Sequence, residues 1–321
     1  MTNPTMRAIR QDTHGDSSVL QLVDVPRPEP LPTEIRVRVR AAGVNPVDWK
    51  TREGGGMAGV LGTPPFGMGW DVSGVVDAVG FGVTTFKPGD EVYGMPWFPR
   101  AAGAYAEYVT APSRQFAPKP RSIGHVEAAA VPLAALTAWQ ALVDTADVQP
   151  GQRVLIHAAA GGVGHLAVQI ARARGAHVIG TGSAGREEFL RAIGVDEFID
   201  YRSTRFEDQV RDVDLVVDLV GDAQQTNLRS IGVIKPGGIY IGVPSGVSPA
   251  VAAAAEARGV RATGILVEPD RQALASITEL IDADELLVAV QETFPLERAG
   301  AAQDAAATGR TQGKIVIEVS R

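Results

Sequence analysis

The run His157-Ala158-Ala159-Ala160-Gly161-Gly162-Val163-Gly164 sets small residues and glycines where a chain could turn from a strand into a helix. The spacing G-x-G-x-x-G falls on Ala159, Gly161 and Gly164, so Ala takes the first place. In such a turn the middle glycine lets bare backbone approach a pyrophosphate, and the last lets the helix lie close to the strand. The N-terminus of the helix adds N–H groups and a partial positive charge. Ala160, Gly161, Gly162, Val163 and Gly164 are therefore the candidate phosphate contacts. A tight structural turn is the alternative.

The end of the following strand bears on which dinucleotide would fit. Proteins that hold NAD place an Asp or Glu about 20 residues beyond the glycines, against the ribose 2′-hydroxyl. Here Gly180-Thr181-Gly182-Ser183-Ala184-Gly185-Arg186 carries no acid before Glu187. An acid there would repel a 2′-phosphate, whereas Ser183 can donate a hydrogen bond to it and Arg186 can supply charge. NADPH is the expected cofactor, and an aspartate at Gly182 is expected to move the preference toward NADH. The alternative is that Ser183 only caps a helix whose first turn carries a solvated Arg186.

These residues need a scaffold of alternating strands and helices. Arg153–His157, Ala176–Gly180, Phe198–Asp200, Leu215–Asp218 and Ile239–Gly242 read as strands. Leu166–Arg174 and Glu187–Ile193 read as helices, stopped by Gly175 and Gly194. Such βαβ units make a parallel, doubly wound sheet.

The first third reads differently. Ile35, Val37 and Val39 share one face of a strand, and Arg36, Arg38 and Arg40 share the other. The arginines suit either a solvated face or an anion patch. Gly74–Gly80 and Glu91–Gly94 are further strands, with a turn at Lys87–Asp90. Short strands with frequent Gly and Pro suggest a β-barrel-type domain. Residues 126–145 read as helical, and Lys314–Val319 as a strand that returns to the first domain. The fold class is thus α/β, a barrel-type β domain plus a parallel-sheet domain.

Composition narrows the function. The 321 residues carry 30 Lys and Arg against 37 Asp and Glu, a net charge of −7. That leaves no cationic excess to displace counterions from nucleic acid. With no cysteine, disulfides, iron–sulfur clusters and sulfur-ligated zinc are excluded. The apolar stretch 128–143 is too short to span a bilayer and is interrupted by Pro132 and Gln140. The first fifteen residues are polar, so a soluble, cytoplasmic protein is expected.

Several segments resemble the medium-chain dehydrogenase/reductase superfamily, in its zinc-free quinone oxidoreductase branch. They are Ala42-Gly43-Val44-Asn45-Pro46-Val47-Asp48, Gly69-Trp70-Asp71-Val72-Ser73-Gly74-Val75-Val76, Lys87-Pro88-Gly89-Asp90, Ala135-Leu136-Thr137-Ala138, the glycine run and Gly313-Lys314-Ile315-Val316. The resemblance implies a GroES-like domain over 1–124 and 268–321, with a Rossmann domain over 125–267 inserted in it. It implies that Asn45 and Thr137 lie near the nicotinamide ribose, and that Asp48 completes this catalytic set, chiefly by orienting the Asn45 loop. Val220, Gly242, Val243, Leu266 and Val267 would border the nicotinamide, and Tyr201 the 2′-phosphate. Lys314 would contact phosphate. Thr137 bonding inside its own helix and Tyr201 edging a surface turn are the plain alternatives.

In zinc-dependent relatives three side chains hold the metal. Here the matching positions are Asn45, Trp70 and Leu133, and the five histidines have no ligand-like spacing. No metal is therefore expected. Enoyl reductases of the superfamily often carry a Tyr just after the position of Asn45, and this chain has Pro46. The expected acceptor is a small quinone or activated enone. An enoyl reductase of a biosynthetic pathway and a non-catalytic NADPH-binding protein remain the alternatives. The stretch Gly238–Val243 lies near the end of the Rossmann sheet, and the resemblance implies that such an edge strand pairs across a two-fold axis, giving a homodimer.

Overall fold

The structure, a computed structural model, describes residues 4–244 and 246–320. Eight strands come first: β1 (Thr5–Gln11), β2 (Leu20–Pro26), β3 (Glu34–Val44), β4 (Phe66–Gly67), β5 (Val72–Val79), β6 (Glu91–Gly94), β7 (Tyr108–Pro112) and β8 (Phe116–Pro118). Six follow: β9 (Arg153–Ile156), β10 (His177–Gly182), β11 (Glu197–Asp200), β12 (Val213–Asp218), β13 (Ile234–Gly242) and β14 (Arg261–Gly264). The last two are β15 (Val290–Pro295) and β16 (Lys314–Glu318).

The chain forms two compact units. One comprises the residues up to Leu136, Glu268–Asp284 and those from Val288 onward, and the other Thr137–Val267 with Glu285–Leu287. The division thus falls after Leu136 rather than after residue 124. The helix His125–Ala129 explains the shift, since Ala129 and Ala130 pack with Ala41 and Val316 of the first unit.

In the first unit β2-β1-β4 make a small antiparallel sheet, and a larger sheet runs β15-β16-β3-β5-β6-β8, with β7 also on β3. Ile35, Val37 and Val39 point into a core with Val72, Val92, Phe116 and Ile317. The opposite face of β3 is not the solvated arginine face expected. Arg36 is only 6% exposed. Its guanidinium lies 2.8 Å from Glu29 and 2.6 Å from Asp77, beside the Tyr108 ring. With β5, β7 and β16 all paired to β3, that strand is central, and a charge there must be matched. Only Arg38 is exposed, so no anion patch forms.

The C-terminal strand returns as expected. Ile315 pairs with Val44 and Ile317 with Ala42, which sets Lys314 beside the end of β3.

The second unit is one parallel sheet in the order β11-β10-β9-β12-β13-β14. Numbered from β9 this is 3-2-1-4-5-6, the doubly wound arrangement, which places ligands outside the carboxyl ends of the strands. Its central strands β9 and β12 are buried on both faces, which is why they read as Val, Ile and Leu runs. β13 has a partner on each side, so the stretch Gly238–Val243 is not an edge. The edges are β11 and β14, and the one beyond β13 is β14, a short polar strand with little apolar pattern. No helix among the described residues is long and apolar enough to cross a membrane.

Candidate active site

The carboxyl edge of the parallel sheet collects the second-unit residues singled out from sequence. After β9 the chain turns through residues 157–163 and enters the helix Gly164–Ala173. Ala158 takes a left-handed φ of 50°, an uncommon conformation for a residue with a Cβ. The turn is tied to β10 by Ala159 N–H donating to Thr181 O (2.9 Å) and by Ala158 N–H donating to the Thr181 hydroxyl (3.2 Å). His157, buried beneath it, bonds Ser230 and Thr181 through its two ring nitrogens, and burial holds it down at about 4, so it is neutral.

The two glycines of the spacing differ. A Cβ on Gly164 would lie 2.3 Å from Ala158 O and 2.7 Å from Ala159 Cα, so no other residue fits without displacing backbone. A Cβ on Gly161 would meet only Ala158 O, at 3.3 Å. Gly164 is thus required by packing, and Gly161 is the position where bare backbone faces outward. Together with the first N–H groups of a ten-residue helix, this is a cradle that fits a pyrophosphate.

Strand register sets the rest of that edge. Gly182 pairs with Asp200, Asp218 with Gly242, and Gly242 with Gly264. Ser183 heads the turn Ala184–Arg186, and its hydroxyl makes no capping bond, so the capping alternative fails. Tyr201 N–H donates to Gly182 O (3.1 Å), which brings the exposed Tyr201 ring to the end of β10. Arg202, not foreseen, lies with its guanidinium 5.8 Å from that ring. Asp200 is an acid beside Gly182 that sequence spacing missed, because it belongs to the third strand. Its carboxylate accepts from Arg202 N–H (3.1 Å) and the Ser203 hydroxyl (2.9 Å).

Further along the edge, Asp218 accepts from the N–H groups of Val220 and Gly221 (both 2.8 Å) and from the Tyr240 hydroxyl (2.7 Å). Val243 N–H donates to Asp218 O. Val220 and Leu266 are exposed apolar side chains at the ends of β12 and β14, and Val267 is buried. Gly182 itself turns its open side away from solvent. A Cβ there would sit 2.9 Å from Leu190 and 3.3 Å from Phe198, so an aspartate would push its carboxylate among apolar groups. The expectation for Gly182→Asp is corrected accordingly, and Ser183 is the position that would present an acid.

In the first unit Asn45, Asp48, Asp71, Tyr105 and Lys314 form a buried polar cluster. Asn45 follows the end of β3 and precedes the helix Pro46–Arg52, whose first residue is a proline with φ suited to that place. Asp48, three residues on, reaches back to Asn45 N–H (2.7 Å), the reciprocal half of a capping box. The same Asp48 oxygen accepts from the Tyr105 hydroxyl (2.8 Å). The Asn45 side chain does not cap; its Nδ2 donates to Asp71 Oδ2 (2.7 Å) and its Oδ1 accepts from Lys314 Nζ. Asp71 also accepts from Leu133 N–H (2.8 Å). Gly43 makes room: a Cβ there would strike Ala129 O at 2.3 Å and Asp71 Oδ2 at 2.8 Å.

Burial dominates the electrostatics here. It pushes the Asp48 carboxyl up to about 7 against the pull of Asn45 N–H and Tyr105. It raises Asp71 and lowers Lys314, while their mutual attraction opposes both shifts. Lys314 is 3% exposed, and its ammonium faces Val44 O (2.8 Å), Asn45 Oδ1 and Asp71 (3.8 Å). The expected phosphate contact is therefore corrected: Lys314 is an internal counter-charge. Thr137 is buried in the helix Pro132–Trp139.

A zinc ion does not fit the three aligned positions. The Asn45 amide is committed to Asp71 and Lys314, the Trp70 ring N–H donates to Arg100 O (2.7 Å), and Leu133 offers no ligand atom on its side chain. Among the described residues no three His, Cys, Asp or Glu side chains gather as a metal site.

Residues 31–121 match the alcohol dehydrogenase GroES-like domain, and residues 193–317 match a family described as zinc-binding dehydrogenase. The chain belongs to the medium-chain dehydrogenase/reductase superfamily. Within it, the chain is 32% identical to the human mitochondrial NAD(P)H oxidoreductase RTN4IP1, over 90% of this chain and 82% of that protein. It is 32% identical to tomato 2-methylene-furan-3-one reductase, over 97% and 79% respectively. The quinone oxidoreductase of Coxiella burnetii superposes with a TM-score of 0.93 at 38% identity, over 99% of this chain and all of the other. The Escherichia coli quinone oxidoreductase solved with NADPH gives 0.85 at 27% identity, over 98% and 100%. The protein is accordingly an oxidoreductase that uses a nicotinamide cofactor.

Proposed function

We propose that this protein is a zinc-independent, NADPH-dependent reductase of small quinones or activated enones. The observation that carries the reading is the carboxyl edge of the parallel sheet. There the glycine cradle stands beside a β10 end with Ser183, Arg186, Tyr201 and Arg202 and with no acid presented from β10 itself. Asp200, the nearest acid, has its carboxylate engaged within its own turn.

When bound, the dinucleotide supplies a hydride, two electrons and one proton, from its dihydronicotinamide ring. The cradle at 160–164 holds the pyrophosphate, and Ser183, Arg186 and Tyr201 border the 2′-phosphate. The backbone at Val220, Val243 and Leu266 shapes the nicotinamide end, where Asp218 fixes the loop. Asn45, held rigid by its neighbours, orients the nicotinamide ribose. A quinone suits this arrangement because its reduced oxygens can take the remaining proton from water. Pro46 offers no hydroxyl where an enoyl reductase would have a tyrosine. The relatives named for quinones and for a methylene-furanone, an exocyclic enone, support the same acceptor class.

The residue types support zinc independence, since the Lys314 ammonium already stands beside the Asp71 carboxylate at Asn45, and burial raises the remaining Asp48 carboxyl to about 7. We also propose a homodimer joined at the open strand β14, with no nucleic-acid or membrane partner. The test follows NADPH absorbance with a benzoquinone, a conjugated enone and an enoyl thioester in parallel. Turnover of the first two exceeding that of the thioester supports the reading; preference for the thioester would replace it with an enoyl reductase.

A further inference from the structure

Lys314 is the cation of the first unit's buried cluster, yet it lies 269 residues from Asn45 in sequence. The geometry around Asn45 has a single solution. A lysine ammonium only donates and an ionised carboxylate only accepts, so Oδ1 must face Lys314 and Nδ2 must face Asp71. Flipping the carboxamide would set donor against donor and acceptor against acceptor. Val44 O, the last carbonyl before Asn45, takes a second bond from the same ammonium (2.8 Å). Asp48 clamps the Asn45 backbone from the other side through its N–H. Thus Asn45 is gripped at its N–H, at both ends of its side chain and at the preceding carbonyl.

The charge arithmetic explains why a lysine stands there. Asp71 is fully buried and accepts from the uncharged donors Asn45 Nδ2 and Leu133 N–H, so it needs a cation nearby, and Lys314 lies 3.8 Å away. The ammonium reaches the cluster because β16 pairs with β3 in the register Ile315 to Val44. The preceding residue, Gly313, sits at a φ of 68°, in the left-handed region, where the chain enters that strand.

We propose that Lys314 is a positioning residue: brought in by the C-terminal strand, it locks the Asn45 carboxamide in one orientation without itself touching the cofactor. This rests on the reading that Asn45 orients the nicotinamide ribose.

The test uses Lys314→Met and, to keep the buried charge balanced if that variant misfolds, Lys314→Met combined with Asp71→Asn. Three quantities are read: the NADPH dissociation constant from nicotinamide fluorescence, kcat with a benzoquinone, and the Asn45 side-chain NH2 signals in an amide correlation spectrum. The proposal expects NADPH affinity to stay within about threefold while kcat falls by about tenfold or more, the split expected of lost orientation rather than lost binding. It also expects the Asn45 NH2 signals to shift and broaden. Unmoved Asn45 signals would overturn it. So would a loss of about tenfold or more in NADPH affinity with kcat preserved, the mark of a lost phosphate contact. If the unmodified protein turned over no acceptor, the functional reading would fail, while the Asn45 signals would still decide whether Lys314 positions that side chain.

Discussion

The polar centres of the two units are built on opposite principles. In the second unit the phosphate cradle works by absence: glycines and N–H groups leave room, and the side chains around them are small. In the first unit the Asn45 cluster works by crowding: five polar side chains, all buried, bond one another, with Asp48 Oδ1 left without a partner among the described residues. An open cradle tolerates charge changes at its rim but not added volume. A closed cluster tolerates little change in charge, because each member is another's partner. The two regions should therefore fail in different ways.

The largest effect is expected at Asp71. Asp71→Ala leaves Lys314 buried without its carboxylate and should cost about 3–5 kcal/mol in urea unfolding. Glu207→Gln is the contrast. That ion pair with Arg229 is partly exposed, and the loss should stay near 1 kcal/mol or below. A similar cost for both would mean that the first-unit cluster is as solvated as the surface pair.

Gly164→Val comes next. Its added atoms collide with backbone and should cost about 3 kcal/mol, with roughly hundredfold loss of NADPH affinity by fluorescence titration. Gly161→Ala should fold normally and weaken binding by about tenfold. Equal effects at the two positions would contradict the distinct roles given to them.

The two regions should also respond oppositely to pH. Asp48 has its folded value raised to about 7, so the stability it contributes is complete below the ordinary carboxylate value near 4 and is lost as pH rises toward 7. His157 is held down at about 4, so its contribution is present above its ordinary value near 6.5 and is lost as pH falls toward 4. Asp48→Asn should flatten the fall of Tm between pH 4 and 7, and a fall that persists in the variant would remove Asp48 as its source. Each pH unit crossed is worth up to about 1.4 kcal/mol.

The smallest expected effect is at the cofactor's rim. Ser183→Asp should reduce the NADPH preference by about tenfold in kcat/KM, the worth of one charge-assisted bond. Gly182→Asp should instead lower Tm with little change in preference, since its side chain enters the Leu190–Phe198 contact. A clean switch of preference at Gly182 would show that the end of β10 faces the other way.

How far the sequence could be read follows the same division. The glycine turn was legible because its meaning lies in eight consecutive residues between a strand and a helix. The parallel sheet was legible because strands buried on both faces spell out apolar runs. The Asn45 cluster was legible only in part. Asn45 and Asp48 sit in one motif, but Tyr105 reaches them through tertiary folding with no local pattern to announce it, and the Gly-Lys segment marked Lys314 without showing that it turns inward to Asn45. Arg36 misled because the pairing of β3 on both sides buries a face that alternation alone assigns to solvent. The true edge strand escaped because Arg-Ala-Thr-Gly at 261–264 has no apolar period, while the longer β13 beside it has one. Asp200 escaped because register, not spacing, sets it beside Gly182.

The central claim is that a metal-free first unit and an NADPH-selective cradle together reduce a quinone. It is tested most directly by measuring kcat/KM for NADPH and NADH with one benzoquinone, before and after exhaustive chelation. The account predicts a preference for NADPH of about ten- to a thousandfold, carried by the 2′-phosphate contacts, and rates unchanged by the chelator. Equal use of NADH, or activity lost on chelation and restored by zinc, would contradict it.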